Sequence, residues 1–288
     1  MTTVLMSRPS TSPPSSAPAA GPSPRAAIGW LALGAAVTSA LSLVGSDLGG
    51  LHHDVYLLLY FTGALAFLGW FASRCGVMWR RLLRANIWWS LGIGVLVGAA
   101  VVRQVMSQGG TGHPSGGYFA FEVVWRGVAY GVVDALVLAV FPATVAYLVL
   151  RGNRNGALRK VAYAGLLVVF SLVVSAAYHA GYSTYRSDTM SKPLIGTVMW
   201  DIPAALTGNP AGAVVAHAAV HTSAVVHQYY GGDNHLLPPE LTADYPERAG
   251  GALGVLIATG WLLLVTGVLI VTRERWLPPL RGPTEPSE

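Results

Sequence analysis

The chain has 288 residues, of which 53% are hydrophobic and only 11% charged. Soluble domains carry about 25% charged residues, so the composition excludes an ordinary soluble domain and points to membrane-spanning helices. The net charge of +5 is no nucleic-acid footprint in so apolar a chain, and a single cysteine, Cys75, excludes an internal disulfide or a CxxC metal site.

Residues 1–25 are rich in Pro, Ser and Ala and cannot bury a core, so they read as a disordered tail. The apolar run that follows resembles a signal peptide in its small residues, but the polar tail before it is long. An uncleaved first helix is the better reading. Apolar segments then fall at about 26–45, 55–72, 87–106, 127–150 and 158–180, with a late one at 252–272. Each is close to the ~20 residues that a helix needs to cross a bilayer. The fold expected is an all-α, polytopic transmembrane bundle occupying 26–275, with six spans and a short tail at 276–288. Between the fifth span and the last lie two shorter pieces, 194–207 and 211–229. Thr207-Gly208-Asn209-Pro210 is a turn signal between them. They predict a re-entrant or tightly packed helical hairpin, which brings the total to as many as eight helices.

Loop charge sets the expected orientation. "SRCGVMWRRLLR" and "RGNRNGALRK" are basic and read as cytoplasmic, as does the stretch after 272 with Arg273, Arg275 and Arg281. "GSDLGGLHHD", "SQGGTGHPSGG" and the acidic "GGDNHLLPPELTADYPER" then face outward. Both termini are expected in the cytoplasm of a cell whose plasma membrane holds the protein. Lipid is the expected partner, with a peptide or small molecule as substrate and no nucleic acid. Gly94 and Gly98 form a GxxxG step that permits close helix contact. Arg103 reads as a snorkelling cation, and Trp88, Trp89, Tyr229 and Tyr230 as interfacial anchors. No Walker or dinucleotide fingerprint is present.

On this topology all eight histidines lie on or near the outer side. His217 and His221 are four apart and share a helix face. Neutral imidazoles at that spacing can grip one ion, and His179, at the outer end of the fifth span, is a candidate third ligand. Glu122 and Arg126 are also four apart. Glu122 is a candidate general base on a metal-bound water, with Arg126 orienting it or stabilising an oxyanion. Asp134, an ionisable group inside a span, is a functional-site hypothesis by default, as a partner for a ligating histidine or as a polar contact. Pro142 is expected to kink this helix. The metal expected is a divalent transition ion, zinc foremost. Structural histidines bonded to backbone or hydroxyl groups are the competing reading, and His52, His53, His113 and His235 read as plain loop residues.

At "FEVVWRGVAYG" the sequence resembles the CAAX-type intramembrane metalloproteases. Glu122 and Arg126 match the second Glu and the Arg of that family's Glu-Glu-x-x-x-Arg motif, with Phe121 at the first Glu. His179 stands as the histidine of its Phe-x-x-x-His motif, with Ser175 in place of Phe. His217 opens a His-x-x-x-Asn/Asp motif that ends here in His221. The resemblance implies a multi-helix membrane fold and peptide hydrolysis by a metal-activated water. The alternatives are a non-catalytic protein binding metal or haem at its outer face, and a membrane scaffold or transport component with structural histidines.

Overall fold

A computed structural model describes residues 22–230, apart from 52, 78 and 187. The predicted span at 252–272, the acidic loop with His235, His52, the C-terminal tail and nearly all of the N-terminal tail lie outside the described residues. Helix α1 covers Pro24–Leu48; Ser23 caps it by accepting from the Ala26 amide, and Pro24 occupies its first turn. The others are α2 (His53–Cys75), a short α3 (Trp79–Arg84), α4 (Ile87–Met106), α5 (Gly116–Val149), α6 (Ala157–Ala180), α7 (Ser191–Thr207) and α8 (Ala211–His227). No strand occurs among the described residues. Among the described residues five helices, α1, α2, α4, α5 and α6, are long and apolar enough to cross a membrane. The chain is therefore an all-α polytopic membrane bundle.

The sequence reading started the fourth span at 127, whereas α5 starts at Gly116 and runs for 34 residues. Its first turns are held by packing: Phe119 and Phe121 press on the main aromatic core, where Trp125 meets Phe61 at 4.8 Å. Two stretches of α5, Val123–Ala129 and Leu136–Val140, are π-helical, the second immediately before Pro142. A proline has no N–H to donate to the helical ladder, and a wide turn there absorbs the break.

The α7–α8 hairpin reaches the full depth of the bundle and is not a shallow dip. Its turn is pinned to the end that carries the basic loops. Asn86 donates to Thr207 O (2.9 Å), and Asn209 Nδ2 donates to Leu83 O (2.7 Å) and Ala85 O (2.6 Å). Arg154 reaches Gly208 O from the other basic loop. At the opposite end the Thr111 amide donates to His227 O (2.9 Å). Each helix has 17 residues, about 25 Å of rise. Fully buried Asn209 also accepts from the Ala211 amide through Oδ1. Its side chain thus satisfies three backbone groups, so Asn209→Ala is expected to destabilise the bundle by about 2–4 kcal/mol, read as a lowered melting temperature in detergent.

The GxxxG step works as its spacing implies. Gly94 and Gly98 face Gly212 and Ala216 of α8, and a Cβ at Gly94 would stand 2.2 Å from Gly212 O. With lipid outside, association comes from close packing of this kind, not from hydrophobic exclusion. The outward face of α4 is apolar and open, with Trp88 82% and Trp89 75% exposed, as expected for residues meeting lipid. Tyr229 departs from the anchor reading: it is buried, and the Arg126 guanidinium lies 4.7 Å from its ring centre.

Candidate metal centre

Asp134 stands where α5 faces α2 and α8. Its carboxylate is buried, and three side chains from two helices converge on it. The Tyr60 hydroxyl donates to Oδ1 at 2.8 Å. His217 Nε2 lies 3.1 Å and His221 Nε2 3.6 Å from Oδ2. One turn apart on α8, the two imidazoles stack almost parallel, 4.9 Å between centres. Trp200 flanks His217 at 5.0 Å, and Tyr130 meets His221 edge-on at 4.6 Å. Gly131 lets α8 come this close, since a Cβ there would sit 2.7 Å from Ala218 Cα.

One ligand atom from each of Asp134, His217 and His221 lies within 4.8 Å of the others, and all three residues are buried. Around a tetrahedral zinc with bonds of about 2.0–2.1 Å, neighbouring ligand atoms stand about 3.3 Å apart. The two histidine-to-carboxylate distances straddle that value. A cavity of about 60 Å³ opens beside the trio, lined also by His179, Tyr178, Thr197 and Lys192. It has room for roughly four waters. His179 Nδ1 donates to Ser175 O at 2.8 Å, so its Nε2 keeps a lone pair and is able to accept a proton or a metal.

A buried chain of phenols adjoins this centre. Tyr130 and Tyr178 share a hydrogen bond of 2.6 Å, Tyr182 donates to Tyr178 at 2.8 Å, and Tyr56 pairs with Tyr182. Nearby on α7, Asp201 accepts from Ser171 at 3.0 Å.

The structure therefore gathers His179, His217 and His221 around one cavity, with Asp134 as their carboxylate. It does not bring Glu122 and Arg126 there. Glu122 precedes Asp134 by twelve residues on α5, roughly 18 Å along the axis. It sits in a separate buried group with His53, Asp54 and Arg126. Arg126 does pair with Glu122, Nε to Oε2 at 3.4 Å, as the i, i+4 spacing implies. Depth also differs from the expected outer-side cluster. His217 is only six residues into α8, about 9 Å from its start at the basic end, so the trio lies mid-bundle. His53 and Asp54, read as loop residues, begin α2 and are buried. His113 is an exposed loop residue whose ring stacks on Phe119. Sequence reasoning also missed Tyr60. The available signal was the run His53, Tyr56, Tyr60 at helical spacing on one face of α2.

Fold and interior polar groups together define an integral membrane helical bundle with two buried histidine–carboxylate clusters. No protein-family model matches the chain, and no curated protein or solved structure matches it.

Proposed function

We propose that this chain is a multi-pass membrane metalloprotein, and that Asp134, His217 and His221 hold one divalent transition metal, zinc foremost, midway through the bundle. The observation that carries this reading is the aim of two imidazole nitrogens, from successive turns of α8, at a single carboxylate oxygen. Two nitrogens and one oxygen suit zinc, iron or copper. Three protein ligands leave a position open toward the cavity, which is the arrangement of reactive sites and not of closed structural ones. A metal there would acidify a bound water or polarise a small polar ligand.

If the chemistry is hydrolytic, as the resemblance to intramembrane metalloproteases implies, the base belongs at this cavity, and His179 is the residue placed there. A role for Glu122 and Arg126 would have to be exerted from the other cluster. The cavity suits a water-sized or small polar substrate, and a peptide requires α7 to part from α6. The end bearing Arg151, Arg154, Arg159 and Lys160 is assigned to the cytoplasm of the plasma membrane on loop charge.

A second reading is a metal-free structural trio. It is favoured by the absence, among the described residues, of a hydrogen-bond partner for Nδ1 of either His217 or His221, since ligating histidines normally donate through that nitrogen. Elemental analysis of the full chain in mild detergent separates the two. The His217→Ala/His221→Ala variant is expected to carry about one equivalent less metal than the parent. Equal metal content in the two proteins would leave only the structural trio.

A further inference from the structure

Glu122 is an anomalous polar group for the interior of a bundle. It has no exposed surface, and neither carboxylate oxygen accepts a hydrogen bond among the described residues. Its nearest nitrogen neighbours are loose, with the paired Arg126 Nε 3.4 Å and the His53 imidazole Nε2 3.5 Å from Oε2. A carboxylate removed from water without hydrogen bonds is strongly disfavoured unless it takes up a proton or an ion takes water's place.

The surroundings supply such a place. His53 Nε2 lies 3.2 Å from Asp54 Oδ1 as well as 3.5 Å from Glu122 Oε2. One ligand atom from each of these three buried residues falls within 4.8 Å of the others. Around an ion with bonds of about 2.0–2.2 Å, neighbouring ligand atoms stand about 3.0–3.5 Å apart. Charge agrees: among the described residues of this group, two carboxylates outweigh one guanidinium, leaving one net negative charge when the imidazole is neutral. The Arg126 guanidinium lies over the Tyr229 ring, 4.7 Å from its centre.

We propose that His53, Asp54 and Glu122 form a second divalent-cation site, independent of the Asp134 centre. One imidazole and two carboxylates make a harder ligand set than two imidazoles and one carboxylate, so this site suits Mn²⁺ better than the Asp134 centre does, and Zn²⁺ equally. His53 and Asp54 open α2, directly after the α1–α2 connection, so the site lies toward the end opposite the basic loops. It lies roughly 18 Å along α5 from Asp134. One cation therefore does not bridge the two, and either site can be lost without the other.

The test uses Mn²⁺ as an EPR-visible probe of the full chain in detergent, in the His217→Ala/His221→Ala background. That protein is expected to remove about one equivalent of Mn²⁺ from the free aquo signal. Adding Glu122→Gln, which conserves volume, is expected to weaken binding at least tenfold, as is His53→Ala. Mn²⁺ should raise the melting temperature of the double variant and not that of the Glu122→Gln protein, which guards against mistaking misfolding for lost binding. No Mn²⁺ uptake in the double variant, or unchanged affinity with Glu122→Gln, overturns the second site. If the parent and the double variant carry the same single ion and Glu122→Gln loses it, the second site stands and the Asp134 centre falls.

Discussion

Asp134→Ala is expected to abolish metal retention at the α5–α8 centre and to destabilise the bundle by about 3–5 kcal/mol. The carboxylate is buried, accepts from Tyr60 and faces both His217 and His221. Removing it takes the anionic acceptor from a buried phenol and two buried imidazoles. The corresponding fall in melting temperature is roughly 10 °C for a domain of this size. Asp134→Asn separates the two effects. It keeps an acceptor of the same shape for Tyr60, so it should recover much of the stability, yet it lacks the anionic oxygen that a metal needs. Thermal melts and elemental analysis of both variants are the measurements. A stable, metal-loaded Asp134→Ala protein would show that the trio neither binds metal nor ties α8 to α5.

The other large effect is expected at Gly212. A Cβ added there would stand 2.0 Å from Ser90 O and 2.7 Å from Pro203 Cβ. Neither neighbour is the loose end of a side chain, so Gly212→Ala must push α8 away from α4 and α7. The expected cost is about 3 kcal/mol or more, at the upper end for overpacking. Because His217 and His221 ride on the same helix, metal content should fall with stability. Gly92→Ala is the control: it lies on α4 with nothing within 4 Å of an added Cβ, and the change should be almost silent. Equal melting temperatures for the two alanine variants would refute tight α4–α8 packing at this point.

The helices were legible because hydropathy and loop charge act on long windows. The turn at 207–210 was legible because Gly and Pro punctuate it. The pairing of Gly94 and Gly98 with a partner helix was readable, but not which partner: nothing local to α4 names Gly212 and Ala216. The same limit explains the site. The i, i+4 spacing of His217 and His221 is visible on one helix. Whether Glu122 or Asp134 completes the set depends on how α5 and α8 are offset along their axes, a property of two helices jointly. His53 and Asp54 were read as loop residues because "GSDLGGLHHD" is polar and glycine-rich. Their burial follows from α2 beginning at His53 itself, which carries both side chains into the bundle.

The two π-helical stretches of α5 bear on how this segment tolerates change. A wide turn accommodates one residue more than an ordinary one and can give it up, whereas a residue lost from the regular turns swings everything downstream by about 100° about the axis. Loss of a single apolar residue from the regular stretch 130–133 would leave length and greasiness almost untouched, and the segment would still enter the bilayer. Yet the carboxylate twelve positions after Glu122 would be dialled away from its imidazoles. Insertion and chemistry thus obey different arithmetic along one helix, with composition governing the first and residue counting the second.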